Sequence, residues 1–286
     1  MNLLYGLAYL IGAPLIGGIV IGIDRKITAR MQSRVGPPIL QPFYDVLKLF
    51  EKENIVVARP QNFFVFAYVA FMALTGLMFF SGGDLLLAIF AMTLAEVFLV
   101  LGAYSANSPY SFIGAERELI QMMAFEPMIL LYAAGMYLAT GSFLVSSIAA
   151  TSMPLILLLP GIFAGLLYVT TIKLRKSPFD LSATQHTHQE LVQGVMTEFS
   201  GPTLGGIEIA RWYETVLMLG FVYLFFGFSP LLAIAAIVLT YMFQIFMDNT
   251  YPRFKWSLVL KSSWLVAATL GMINILVLWL YFKGGL

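Results

Sequence analysis

The sequence predicts an all-α integral membrane protein with about eight transmembrane helices and additional amphipathic helices on the cytoplasmic side. Three observations carry this prediction: 60% of the 286 residues are hydrophobic, only 11% are charged, and the mean hydropathy is +0.87. Soluble domains are about 45–50% apolar and about 25% charged. The chain has more apolar surface than its own fold can cover, so lipid must solvate much of it.

Eight apolar segments are long enough to cross a hydrocarbon core of about 30 Å, which needs about 20 helical residues. Because backbone groups in lipid must be paired within the segment, each is predicted to be a helix, with Gly and Pro at the connections. The predicted spans are 2–23, 62–80, 84–103, 119–139, 154–173, 207–227, 230–248 and 262–282. The first lacks a basic leader and a small-residue cleavage site, so we interpret it as a retained span. Residues 1–286 therefore form a single polytopic membrane domain.

Lysine and arginine are distributed unequally between the two sides of these spans. Fifteen of the 16 lie in or beside the odd-numbered loops, and only Lys283 lies opposite. By the positive-inside rule the odd-numbered loops, including 24–61 and 174–206, are cytoplasmic and both termini are outside. We expect the prokaryotic cytoplasmic membrane as the location. Function is expected within the membrane or at its cytoplasmic face.

Both long cytoplasmic loops are predicted to contain an amphipathic helix. In the first, apolar residues recur at i, i+3, i+4 and i+7 opposite charged ones, which indicates a helix on the membrane surface or against a partner. These apolar positions are Phe43, Val46, Leu47 and Phe50. In the second loop the shared apolar face comprises Leu191, Val192, Val195, Met196 and Phe199, and Ser200-Gly201-Pro202 ends it.

Composition excludes several kinds of cofactor and partner. The chain has no cysteine, and iron–sulfur clusters, nickel–thiolate sites and disulfides all require cysteine sulfur. The net charge of +1 provides no basic surface for nucleic acid. We therefore expect no redox centre and no nucleic-acid partner for this chain.

Acidic residues inside the predicted spans are the strongest functional signal. A charge costs a few kcal/mol at the bilayer centre unless it is neutralised or paired, so Glu96 and Glu126 mark a candidate ion path. Neither span interior contains a Lys or Arg, so a partner must come from another helix, from water or from a bound proton. The alternative is a structural hydrogen bond of a protonated Glu. Pro127 leaves the carbonyl of Met123 without its helical donor, a gap that water or a side chain can fill.

Two groups of charged residues lie towards the predicted cytoplasmic ends of spans. The fourth span begins with Glu116, Arg117 and Glu118. The sixth contains Glu208, Arg211 and Glu214. Glu126 follows Glu118 by roughly two turns, on nearly the same face. The i, i+3, i+6 spacing in the sixth span suits either structural pairing or ion transfer. Together the acids predict a path that enters from the cytoplasm and ends near the membrane centre.

The histidines lie close together in the second cytoplasmic loop. His186, His188 and nearby Glu190 are residue types that bind metals. Alternate spacing does not share a helical face and a third firm ligand is missing, so an interface or proton-relay role is preferred. No arrangement typical of soluble catalysis is present, and no catalytic residue is assigned.

Three blocks of sequence carry a resemblance to a known family. The first loop contains Arg34-Val35-Gly36-Pro37-Pro38, Gln41-Pro42, Asp45 and Lys48. The fourth span contains Gly114-Ala115, Arg117, Gln121 and Phe125-Glu126. The long loop contains Pro178-Phe179-Asp180, Glu190-Leu191-Val192, Gly194 and Glu198-Phe199-Ser200-Gly201. Over about residues 20–215 the chain resembles the H-type membrane subunit of respiratory complex I and its hydrogenase relatives.

Two departures favour the hydrogenase branch of that family. The stretch between the Arg-Val-Gly-Pro and Gln-Pro elements is shorter than is usual in complex I members. Asp180 is followed by the stretch from Leu181 to Gln189, with its two histidines, whereas complex I members have acidic residues directly after Pro-Phe-Asp. Both features are similar to the membrane subunits of energy-converting nickel–iron (NiFe) hydrogenases and formate hydrogenlyases.

The resemblance implies a non-catalytic subunit that anchors a peripheral arm and couples electron transfer to H⁺ or Na⁺ movement. Implied partners are hydrogenase-like large and small subunits, a ferredoxin-like Fe–S subunit and an antiporter-like membrane subunit. These would hold the Fe–S clusters and the NiFe centre. The ion-coupling candidates are Glu96, Glu126, Glu208, Glu214, Asp180, Glu190, Glu198, Glu116 and Glu118. The interface or pairing candidates are Arg34, Asp45, Lys48, Arg117, Arg211, His186 and His188.

Two other functions compete with this interpretation. The complex could reduce a quinone at a cavity beneath the first and fifth loops. A self-sufficient ion transporter would instead show inverted repeats with helices broken at corresponding places. The sequence shows no such internal symmetry.

Overall fold

The computed structural model describes residues 3–55, 58–182 and 193–284, which are largely helical. The first helices are α1 (Leu3–Met31), α2 (Gln41–Glu51), α3 (Pro60–Phe80), α4 (Leu85–Tyr104), α5 (Pro109–Thr140) and α6 (Val145–Ala149). The others are α7 (Leu155–Leu158), α8 (Pro160–Lys173), α9 (Gly201–Leu224), α10 (Pro230–Thr250), α11 (Trp256–Val266) and α12 (Ile273–Gly284). The extended pairing seen in these ranges is an isolated bridge between Asp84 and Leu144. The predicted all-α membrane class is confirmed.

Within the residues that the structure describes, six helical segments are long and apolar enough to cross a membrane. They are α1, α3, α4, α5, α10 and the continuous helical run Trp256–Tyr281. The predicted fifth and sixth spans correspond to α8, which has only 14 residues, and to the charged helix α9. The number of eight crossings therefore stays a prediction.

The predicted fifth span is not one continuous helix. The chain forms α7, breaks at Leu159 (φ −124°, ψ 44°), and begins α8 at Pro160. A proline ring cannot donate a backbone hydrogen bond and clashes with the preceding turn, so the helix restarts there. The break shortens α8 and leaves polar backbone groups that another element must satisfy.

Helix α9 lies at the centre of the packing and contacts α1, α2, α3 and α10. Two tyrosines join α1 to α9: the Tyr9 hydroxyl donates to the Tyr213 carbonyl at 3.0 Å, and the Tyr213 hydroxyl donates to the Leu10 carbonyl at 2.6 Å. Gly17 permits the close approach, because a Cβ there would lie 2.6 Å from the Trp212 carbonyl oxygen. These contacts fix the face that α9 presents to its neighbours.

The first predicted amphipathic helix is confirmed as α2. Phe43 packs on the ring of Trp212 at a centroid distance of 5.1 Å, and Val46 is buried, but Leu47 and Phe50 are exposed. The predicted apolar face is thus only half covered by this chain.

The second predicted amphipathic helix is not found in the part of its segment that the structure describes. A single 3₁₀ turn, Gly194–Met196, is followed by α9 from Gly201. The Val195 amide donates to the Ser182 carbonyl at 2.9 Å, so this amide is not available for an α-helical hydrogen bond. Gly201, at φ +53°, begins α9 where the sequence predicted a stop. Leu191 and Val192 lie outside the described residues.

Candidate functional site

Three cations stand within four residues where α8 ends. We call residues 173–176 the cation segment; its charged members are Lys173, Arg175 and Lys176. Each of them contacts at least one carboxylate from a different helix. The segment lies on the side that the cation distribution predicts to be cytoplasmic.

Lys173 joins α8 to α4 and α9. Its ammonium is paired with the Glu96 carboxylate and lies 3.1 Å from Oε1 of Glu214. The three side chains are at most 3% exposed, and the ammonium also lies 4.5 Å from the centre of the Phe125 ring. The sequence required the partner of Glu96 to come from another helix, water or a proton, and the structure shows another helix.

Arg175 joins the segment to α5. Its Nη2 lies 2.5 Å from Oε1 of Glu118, and its Nε donates to Oε2 at 3.4 Å. Burial acts to lower the pKa of the Arg175 guanidinium, but the Glu118 carboxylate outweighs it, so this pKa lies above its ordinary value. Two parallel hydrogen bonds also fix the orientation of the planar group. Arg175 itself has a left-handed backbone, with φ +50°.

Lys176 joins α1 to α10. Its ammonium lies 2.5 Å from Oδ2 of Asp24 and 3.5 Å from Oδ2 of Asp248. The Tyr241 hydroxyl donates to Asp24 at 3.1 Å, and the Ser177 amide donates to Asp248 at 2.8 Å. Both carboxylates are thereby held against the cation segment.

Five carboxylates from five helices thus surround three cations. We call them the carboxylate ring: Asp24, Glu96, Glu118, Glu214 and Asp248. A buried charge left without a partner is strongly destabilising, so the pairs hold the five helices together. With every group of this set ionised, it carries two more negative than positive charges, which Arg25 and Arg211 of the adjoining cavity lining offset. An acid of the ring can exchange a proton when its pairing changes, which gives the site a chemical capacity for exchange.

A cavity of about 520 Å³ opens beside the cation segment. Its charged lining includes Asp24, Arg25, Arg34, Lys173, Arg175, Lys176, Asp180, Glu208, Arg211, Glu214 and Asp248. A space of this size with polar walls accommodates ordered water. It connects the ring to the loops that carry Arg34 and Asp180.

Asp180 lines this cavity and pairs with Arg253, whose Nε lies 2.8 Å from Oδ1. Burial raises the pKa of Asp180 to about 6, with Asp248 adding to the rise and Arg253 opposing it. Its protonation therefore changes in the physiological range.

The structure brings together some of the predicted site residues and separates others. Glu96, Glu118 and Glu214 belong to the ring, and the cavity is lined by Arg34, Asp180, Glu208 and Arg211. The predicted pairing in α9 is present for Glu208 and Arg211 at 3.0 Å, whereas Glu214 pairs with Lys173.

Other predicted residues lie elsewhere. Glu116 accepts a hydrogen bond from Tyr104 at 2.7 Å, Asp45 pairs with Arg25 at 2.7 Å, and Lys48 is exposed. Arg117 and Glu198 are half-buried away from the cavity lining. His186, His188 and Glu190 lie outside the described residues.

Glu126 does not share the surroundings of Glu118, although the sequence placed them on nearly one face. Eight residues turn a helix by about 80° beyond two full turns. Glu126 is accordingly half-buried, beside the exposed Met123 and Leu130, whereas Glu118 is buried against Arg175. Pro127 frees the Met123 carbonyl as predicted, and a side chain fills the gap: Trp264 Nε1 donates to it at 3.0 Å.

Sequence reasoning missed the residues at the centre of the site: Asp24, Lys173, Arg175, Lys176 and Asp248. The sequence contained one signal for them: three cations lie within four residues at the end of the predicted span 154–173, more than the positive-inside rule needs to orient a span. Within the described ranges, no group of three or more His, Cys, Asp or Glu residues is placed to hold a metal ion.

The fold and the site define a class: a multi-span membrane protein whose charged core opens through a polar cavity to one side. Residues 5–279 match the NADH dehydrogenase family, and the chain belongs to that family. The resemblance to H-type subunits is thereby confirmed.

Several relatives are similar to this chain over most of its length. It is 28% identical to hydrogenase-4 component C of Escherichia coli (strain K12), over 92% of this chain and 91% of that protein. It is 29% identical to NADH-quinone oxidoreductase subunit 8 of Rhodothermus marinus, over 92% of each. A chain of the membrane-bound sulfane sulfur reductase, an archaeal respiratory membrane complex, matches with TM-score 0.84 and 26% identity, over 96% of this chain and all of that one. The chain is thus similar to membrane subunits of complex I-like assemblies.

Proposed function

We propose that the chain is the ion-coupling and anchoring membrane subunit of a ferredoxin-dependent, proton-reducing NiFe hydrogenase. In this proposal the Fe–S clusters and the NiFe centre belong to partner subunits, which dock on the cytoplasmic loops, and an antiporter-like subunit adjoins in the membrane. The similarity to hydrogenase-4 component C supports the choice of branch. The chain itself carries out no redox step.

The observation that carries the proposal is the cation segment with its carboxylate ring. The segment leads directly into the loop that contains Asp180, so a displacement of that loop acts on buried charges of five helices. Because the carboxylates of the ring are held ionised by their cation partners, a change in pairing alters how many protons or cations the site holds. Such a change is what coupling requires.

The experiment compares ion uptake per hydrogen formed in inverted membrane vesicles that contain the whole complex. Glu214→Gln keeps the shape and removes the titratable group, and Glu51→Gln, in the cytoplasmic helix α2, serves as the matched control. We expect Glu214→Gln to lower the ratio at least twofold, with H⁺ and Na⁺ measured separately and subunit content equal. An unchanged ratio would refute the coupling role.

A quinone site is the second candidate. The cavity volume of about 520 Å³ falls within the roughly 300–1,000 Å³ of small-molecule sites, and relatives include a quinone oxidoreductase subunit. Such sites are mostly apolar, however, and the charged lining here favours water and ions. Inhibition of electron transfer by quinone-site ligands would favour this candidate over hydrogen formation.

A further inference from the structure

Two prolines interrupt the helices that carry the site. Pro127 lies inside α5 and cannot donate to the carbonyl of Met123. Pro160 begins α8 after the break at Leu159, which leaves the first amides of α8 without helical acceptors. Lipid offers no hydrogen bonds, so protein groups must satisfy these positions.

The last helical run of the chain satisfies both interruptions. Trp264 of α11 donates its indole N–H to the Met123 carbonyl at 3.0 Å. The side-chain amide of Asn274 in α12 forms hydrogen bonds at the break before α8 through both its oxygen and its nitrogen. Its Oδ1 accepts from the Gly161 amide at 3.0 Å and the Ile162 amide at 3.1 Å. Its Nδ2 donates to the Leu158 carbonyl at 3.1 Å.

A π-helical turn, Ala267–Met272, separates these two side chains and shifts the register of the helix between them. The backbones pack closely at this level. A Cβ on Gly271 would lie 2.7 Å from a Leu131 methyl group, and one on Gly161 would lie 2.5 Å from the Leu270 carbonyl oxygen. These close contacts therefore fix the position of the run Trp256–Tyr281 along the axes of α5 and α8.

We infer that the run Trp256–Tyr281 is a latch that fixes the geometry of α5 and α8, with Trp264 and Asn274 as positioning residues. Met123 lies one turn from Glu126, and α8 ends at Lys173. Without the latch the freed backbone groups must find other partners, which moves both helices relative to the carboxylate ring. The coupling part of this inference rests on the proposed function.

The first test is Trp264→Phe, which keeps an aromatic ring and removes the donor. Trp256→Phe is the matched control, because Trp256 begins the same helix and is 51% exposed. In vesicles with equal subunit content, we expect Trp264→Phe to lower ion uptake per hydrogen at least twofold and Trp256→Phe to leave it unchanged. Asn274→Leu should act like Trp264→Phe, and Asn274→Asp, whose protonated carboxyl group can both accept and donate, should recover at least half of the loss. A ratio that stays unchanged in Trp264→Phe and Asn274→Leu, while Glu214→Gln lowers it, overturns the latch.

A second test does not depend on ion movement. Pro127→Ala restores a backbone donor for the Met123 carbonyl, so Trp264→Phe should no longer lower the melting temperature or the assembly of the complex in that background. Additive losses would contradict the inference even if both variants fold poorly. If Glu214→Gln alters coupling and Trp264→Phe does not, the latch fails and the proposed function stands. If neither alters coupling, the proposed function fails and this double-variant comparison decides on the latch.

Discussion

The ammonium of Lys173 lies 3.1 Å from the Glu214 carboxylate, and both side chains are at most 3% exposed. The same ammonium is paired with Glu96, so one cation at the end of α8 holds two acids that neighbouring helices bury. Helix α4 offers Glu96 no basic residue, and Arg211, one turn from Glu214 in α9, pairs with Glu208 instead. Lys173 is therefore the residue on which the buried charge of this region depends.

Replacing Lys173 should destabilise the protein strongly. Removing one partner of a buried ion pair lowers the free energy of unfolding by about 3–5 kcal/mol, because the remaining charge is neither paired nor solvated. We expect Lys173→Met to abolish assembly of the complex at growth temperature or to lower its melting temperature by many degrees. Lys26→Met, at an exposed position of α1, should have no such effect. Normal melting of Lys173→Met would show that the ring does not depend on this cation.

Glu126 and Glu214 should differ in their importance for coupling. Glu214 lines the cavity, whereas Glu126 is half-buried and is not among its lining residues. We expect Glu126→Gln to lower ion uptake per hydrogen less than Glu214→Gln does, with electron transfer between soluble dyes intact in both. A larger effect of Glu126→Gln would move the path to the other side of α5.

The stability of the complex should depend on pH through Asp180. The folded-state pKa of about 6 lies above the value of about 3.9 for an unfolded aspartate. The folded state therefore binds more protons between these values, and the contribution of Asp180 to stability falls as pH rises from about 4 to about 6. Asp180→Asn should flatten the dependence of the melting temperature on pH in this window. An identical slope in wild type and Asp180→Asn would refute the assignment.

The topology can be tested with introduced cysteines, because the chain has none. Lys48→Cys, in α2, should be protected from an impermeant thiol reagent in intact cells and react in inverted vesicles. Ser152→Cys, at an exposed position between α6 and α7, should show the opposite pattern. Labelling of position 48 from outside would reverse the predicted orientation.

The exposed side of α2 should contribute to anchoring. Lys48 and Leu47 are exposed, whereas Asp45 is engaged with Arg25 and Gln41 inside the chain. We expect Lys48→Ala combined with Leu47→Ala to weaken retention of the peripheral subunits during purification without altering the melting of this chain. Full retention would assign α2 to the membrane surface instead.

The sequence by itself determined the class of fold, the helix α2, the family and the acids on which a coupling site could be built. Apolar length and period are local properties, so they can be read without the fold. The free carbonyl of Met123 was equally predictable, because proline chemistry is local.

Only the tertiary structure decided which charges meet. Lys173, Arg175 and Lys176 are neighbours in sequence, yet their carboxylates come from helices up to 152 residues away. The same holds for the latch, where Asn274 satisfies a break 113 residues earlier. Pairing across helices depends on the heights and rotations at which they pack, and the low dielectric of the interior then makes those contacts strong. A linear pattern of residues contains neither height nor rotation, which is why Glu96, Glu118 and Glu214 were recognised and their cation partners were not.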